Sequence, residues 1–199
     1  MTSDDLKREA AEALFTEMSV AYTRQADGSL YVPKGLNLAD KQLTVLPDLS
    51  MVDVGGDFWC DQNQLTSLKG GPRSVEGTYD CSHNLLVSLE GAPAECNDFD
   101  CGHNLLTVLR HAPQKVVDTF FCENNLLTSL EDAPALFSNL LSDFGHYNAW
   151  SQVPMEHRLP PETRARQMAE TIRSITTLDA PLRIGRALSL QKPGKAFAP

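Results

Sequence analysis

The chain has 199 residues, of which 42% are hydrophobic and 22% charged, with a formal net charge of −9 at pH 7; that is enough for one core and excludes the composition of disordered chains. No apolar run approaches the roughly 18 residues that a membrane span needs, and the acidic start Met1-Thr2-Ser3-Asp4-Asp5 lacks the basic-then-apolar order of a signal peptide. A soluble, cytoplasmic protein is therefore expected. The charge is uneven: residues 1–30 carry 3 basic and 6 acidic side chains, residues 31–150 carry 6 and 16, and residues 151–199 carry 8 and 4, giving −3, −10 and +4. Direct nucleic-acid binding by the acidic middle is disfavoured, because phosphates would meet like charge. The basic end tolerates it.

In chain order, residues 2–22 read as an amphipathic helix. Thr2 and Asp5 have capping-box spacing, and Leu6, Ala10, Leu14, Met18 and Ala21 or Tyr22 follow one face at steps of three or four. Such a helix is expected to cover the open end of a repeat array. Gln25-Ala26-Asp27-Gly28-Ser29 is a turn, after which Leu36, Leu38, Leu43 and Leu46 begin a divergent first repeat in which Lys41 takes the place of an asparagine.

The phrase Phe58-Trp59-Cys60-Asp61-Gln62-Asn63-Gln64-Leu65 then recurs at Tyr79 to Leu86, Phe99 to Leu106 and Phe120 to Leu127. Cysteines fall at 60, 81, 101 and 122, asparagines at 63, 84, 104 and 125, leucines at 68, 89, 109 and 130, and prolines at 72, 93, 113 and 134. A fixed period of this kind marks a solenoid. Strand alternation sends the Phe/Tyr and Cys columns inward. The asparagines form a ladder that satisfies turn backbone. After Pro134 the phrase decays: Asp143 stands in the Cys column and His146 in the Asn column, a degenerate closing repeat. His146, Tyr147 and Trp150 read as the core of a C-terminal cap. Pro160-Pro161-Glu162 starts a helix with Met168, Ile172, Ile175 and Leu178 on its apolar face, a second short helix runs through Leu190, and residues 191–199 form a basic tail. The expected fold is an α/β repeat solenoid of about five to six repeats with parallel strands over residues 31–150, capped by an N-terminal helix within residues 1–30 and by helices within residues 151–199.

The repeat Phe/Tyr-x-Cys-x-x-Asn-x-Leu-x-x-Leu resembles the leucine-rich repeat over residues 36–134. The wording Cys-x-x-Asn-x-Leu-Thr-Ser-Leu-Glu-x-Ala-Pro at Cys122 to Pro134, and nearly so at Cys81 to Pro93, is similar to repeats of tailed-phage and prophage proteins. That resemblance implies a phage or bacterial source. Leu43 to Leu49 contains a single Leu-Pro-x-Leu phrase that resembles secreted bacterial effectors, without the catalytic domain of that family.

The residues the fold does not dictate are the outward ones. On the strand face these include Asp57, Trp59, Asp61, Asp80, Asp98, Asp100, Phe121 and Glu123, with Thr78, Ser82, Gly102 and Thr119 between them. Acidic side chains without basic ones, set between two aromatics, point to docking of a host protein with a basic surface. A merely solubilising face is the competing reading. Cys81-x-His83 and Cys101-x-His103 raise the question of zinc, yet the cysteines are expected inside and the histidines at the turn. Clustered carboxylates such as Asp80, Asp98 and Asp100 lack a companion base or cleft, and nucleophile, phosphate-loop and metalloprotease motifs are missing from the sequence. The expectation is a non-enzymatic binding module, with no cofactor, metal, small-molecule substrate or membrane. It would inhibit a bacterial defence or nucleic-acid enzyme. The alternatives are an effector repeat domain, or an adaptor whose Arg164, Arg166, Arg173, Arg183 and Arg186 contact nucleic acid.

Overall fold

The computed structural model describes residues 2–148 and 153–158, together with 163 and 166. The chain divides into two units, Met1–Pro160 and Pro161–Pro199, and the repeats belong to the first. The expected face Met168, Ile172, Ile175 and Leu178 and the tail 191–199 lie outside the described residues, as do Trp150, Arg164, Arg173, Arg183 and Arg186.

Helix α1 spans Ser3–Glu17. Thr2 Oγ1 accepts from the Asp5 N–H at 3.1 Å, while the Thr2 N–H donates to Asp5 Oδ2 at 2.8 Å, so the capping box satisfies two otherwise orphan donors. The helix stops five residues short of the expected end because Ser19 turns left-handed, with φ of 57°. Its inward face is also rotated from the expected one: Ala11 and Phe15 are buried, whereas Leu6 is 56% exposed. Phe15 sets this rotation, since its ring offers the larger apolar area and meets Tyr22 at 5.5 Å between centroids.

The rest of the unit is a β-solenoid of about five turns. Each turn contributes two short strands around a corner: β2 (Leu30–Val32) with β3 (Gly35–Asn37), β4 (Val52–Val54) with β5 (Asp57–Trp59), β6 (Ser74–Val75) with β7 (Thr78–Asp80), β8 (Glu95–Cys96) with β9 (Asp98–Asp100), and β10 (Lys115–Val116) with β11 (Thr119–Phe121). The second strand of every pair, with β12 (Asn139–Ser142) and β13 (Gly145–Tyr147) after the last turn, joins a seven-stranded sheet of order β13-β12-β11-β9-β7-β5-β3. Stacking is parallel and in register, with Leu36 opposite Phe58, Phe58 opposite Tyr79, Tyr79 opposite Phe99 and Phe99 opposite Phe120. On the other side β2 pairs with β4 and β4 with β6, and β8 pairs with β10. The two-residue strand β1 (Thr23–Arg24) closes the first of these groups by antiparallel pairing with β2.

The core columns are those read from the repeat. Phe58, Tyr79, Phe99 and Phe120, the column cysteines Cys60, Cys81, Cys101 and Cys122, and Leu65, Leu86, Leu68, Leu89 and Leu109 are fully buried. In the divergent first turn Leu36, Leu38 and Leu46 are buried as well. Each asparagine ties neighbouring turns together: Asn104 donates through Nδ2 to the carbonyls of Cys81, Cys101 and Gly102 and accepts the Leu86 N–H. Asn63 extends this to the first turn, where its Oδ1 accepts the Lys41 and Leu43 N–H groups, so Lys41 needs no amide of its own. Cys81 and Cys101 donate through Sγ to the Asp100 and Phe121 carbonyls at 3.1 and 3.2 Å. Cys96, outside the cysteine column of the repeat, is buried on β8, and burial pushes its thiol up to about 12.

One substitution within the columns shows how closely turns fit. Tyr79 stands where other turns have phenylalanine, and a Cβ on Gly71 would lie 2.8 Å from its hydroxyl. The equivalent positions Ala92, Ala112 and Ala133 retain their methyl groups. The larger ring is accommodated by the smaller neighbour.

The closing segment differs from a degenerate repeat. Strand β12 (Asn139–Ser142) continues the parallel stack, and then β13 (Gly145–Tyr147) turns back antiparallel against it. Gly145, at φ of 140°, permits that reversal. His146 is consequently exposed instead of lying in the cap core. Tyr147 is buried there and donates to the Phe144 carbonyl at 2.7 Å, while His157 of the four-residue helix α2 (Met155–Arg158) packs its ring 4.7 Å from that of Phe144.

Candidate functional site

Strands β5, β7, β9 and β11 share one burial pattern, with the central residue inside and its two neighbours half-buried. Asp57, Trp59, Asp80, Asp98, Asp100 and Phe121 therefore lie on the outer side of the seven-stranded sheet. Asp61 and Glu123 follow just beyond the strands and are half-buried too. Pairing places Trp59 opposite Asp80, Asp80 opposite Asp100, and Asp100 opposite Phe121. These four side chains thus occupy one line across four strands, with about 4.8 Å between successive strands. Asp98 faces Thr78 in the neighbouring line, which runs on through Thr119.

Several of these carboxylates also hold backbone. Asp57 Oδ1 accepts the Thr78 N–H at 2.8 Å, and Asp98 Oδ1 accepts the Thr119 N–H at 3.0 Å, each bridging adjacent turns. Asp80 and Asp100 accept the N–H two residues on, from Ser82 and Gly102, at 2.9 and 2.8 Å. The spacing of an aspartate two residues before serine or glycine carries this signal in the sequence, as at Asp27 with Ser29 and Asp48 with Ser50. Two residues expected outside are not: Ser82 and Gly102 are buried. Glu123 accounts for Gly102, because its carboxyl carbon lies 3.9 Å from where a Cβ on Gly102 would sit, and Asp100 Oδ1 lies 3.1 Å from the same point.

Asp100 and Glu123 are therefore brought together over a glycine. Glu123 Oε2 is buried with no hydrogen-bond donor among the described residues. Burial raises the Asp100 carboxyl to about 6, opposed by the Gly102 N–H and reinforced by the charges of Asp80 and Glu123. Ion pairs within the described residues lie elsewhere: Arg73 binds Asp53 and Asp27, Lys69 binds Glu90 and Lys115 binds Glu95. None of Asp57, Asp61, Asp80, Asp98, Asp100 and Glu123 has a described cation within 4.0 Å.

The histidines expected at the turn are there. His83 and His103 adopt left-handed backbone, φ 52° and 54°, and stack outside with centroids 4.1 Å apart and planes 10° from parallel. The neighbouring cysteines point the other way, into the core. Thiols and imidazoles of Cys81-x-His83 and Cys101-x-His103 thus lie on opposite sides of the wall and do not converge on one ion. Among the described residues, no helix is long and apolar enough to cross a membrane. Comparison of the chain with protein-family models, curated proteins and solved structures returns no match.

Proposed function

We propose that this chain is a non-catalytic protein-binding module of leucine-rich-repeat type, phage-encoded, whose seven-stranded sheet occupies a basic surface of a bacterial host protein. On this reading the partner is a defence or nucleic-acid enzyme, held at the groove that would otherwise take phosphates. One observation carries the proposal: Trp59, Asp80, Asp100 and Phe121 stand in one line, with Glu123 beside them and no described cation balancing them. Like charges side by side across strands destabilise a sheet, and an arginine or lysine from a partner would relieve both that repulsion and the unpaired Glu123 oxygen. The aromatic ends supply apolar and cation–π contact.

The test is affinity capture from bacterial lysate with the full chain and with Asp80→Asn/Asp100→Asn, whose amides keep the backbone bonds to Ser82 and Gly102. Wild type is expected to retain a basic protein that elutes with salt, and the double variant to lose most of it. Equal retention by both would remove the sheet from the binding mechanism.

A further inference from the structure

A second face, apart from the sheet, stands out by lacking charge. After each strand the chain passes through an asparagine turn: residues 62–67, 83–88, 103–108 and 124–129. These 24 positions hold no Asp, Glu, Lys or Arg, in a chain 22% charged, where about five would be expected. The fold does not impose this. Asp40 occupies the left-handed position of the first turn, φ 52°, that Gln62, His83, His103 and Asn124 occupy in the later ones.

Alternation turns the asparagine and the second leucine of each turn inward and leaves the residues between them outside. Leu85, Leu105 and Leu126 are 46%, 42% and 58% exposed, and Val87 is 57% exposed beside them. The backbone bonds from Leu85 N to Leu65 O, Leu105 N to Leu86 O, and Leu126 N to Leu106 O stack these positions turn on turn. The result is an aliphatic ladder edged by the stacked His83 and His103 rings. A contiguous apolar patch ringed by polar groups is the surface character of an interface, and charge depletion is the mark of an interface centre.

We propose that this ridge is a homotypic interface, and that its occupant is the same ridge of a second copy. Two chains of net charge −9 repel wherever their charged surfaces meet, and the ridge, whose 24 positions carry no carboxylate of their own, is where that repulsion is least. A carboxylate reaches it at the last turn, where Asp143 accepts the Asn124 and Asn125 N–H groups at 2.9 and 3.3 Å. The ladder is also self-complementary. With a two-fold axis at Leu105, Leu85 of one copy meets Leu126 of the other, and both ladders share one strand spacing, so their side chains interdigitate.

The ridge rests on four exposed aliphatic side chains, Leu85, Val87, Leu105 and Leu126, far short of the roughly 20–30 residues a side of a standard interface, so the dimer is weak. Sedimentation equilibrium of the full chain over a range of about 10 μM to 1 mM, the regime such an interface implies, is expected to show the average mass rising from 21.9 kDa towards twice that value. Added salt should strengthen association by screening the repulsion. Leu105→Gln, which copies what Gln64 already does in an earlier turn, should weaken it at least tenfold, and the His83 and His103 ring protons of wild type should shift on dilution. A chain monomeric throughout that range overturns the proposal. So does association that salt weakens, that Leu105→Gln leaves unchanged, or that Asp80→Asn/Asp100→Asn alters as strongly. The sheet variants bear only on partner capture, so the two readings fail separately.

Discussion

Asp100 is pushed up by burial and by the charges of Asp80 and Glu123, against the Gly102 N–H and, more weakly, His103. Its carboxyl ionises near 6 in the fold and near 3.8 when unfolded, so between those values the folded chain binds the extra proton. Stability therefore falls as pH rises from about 4 to about 6, and the penalty is complete above that window. At pH 7.5 the cost is on the order of 3 kcal/mol. Asp100→Asn keeps an oxygen for the Gly102 N–H and removes the charge; it is expected to raise stability by about that amount at pH 7.5 and by little at pH 4, measured by urea unfolding at both values. The same substitution should weaken capture of a basic partner. A carboxylate that costs the fold and serves binding accounts for both outcomes.

At the scale of the element, the asparagine turn is the unit that makes strands into a solenoid. Asn104 is buried and satisfies three carbonyls and one N–H drawn from two adjacent turns. Asn104→Ala leaves those groups without partners and should cost about 3–5 kcal/mol, since each stranded buried group costs roughly 1–3 kcal/mol. Asn125 makes the equivalent bonds at a half-buried position, where water can replace the amide, and Asn125→Ala should cost about half as much. Urea midpoints of the two variants check the ratio.

Across the whole molecule, each turn buries its apolar face against its neighbours, so the ends decide whether the stack persists. At one end the β12–β13 hairpin and α2 close it, and at the other α1 lays Ala11 and Phe15 into the core. Phe15→Ala should destabilise by about 3–5 kcal/mol. Amide exchange is expected to speed up first in β2 and β3, and least in β9 and β11, as nearest-neighbour coupling requires. Uniform acceleration across all turns would show one cooperative block instead.

Period, columns and the capping box were legible in the residues themselves because each is a local or repeating demand: alternation buries Phe58 and Cys60 together, an amide every turn satisfies the turn, and Thr2 with Asp5 needs only helical geometry. The outward positions of Asp57, Trp59, Asp80, Asp98, Asp100 and Phe121 followed from the same alternation. What they touch did not follow. The Glu123 carboxyl folding over Gly102 towards Asp100, the room Gly71 leaves for Tyr79, the rotation of α1 onto Phe15 and the reversal at Gly145 all depend on atoms from different turns meeting in space. A repeat determines which side of the wall a residue faces; only the packed turns decide which neighbours it meets and how far water is excluded, and those set its charge and its cost.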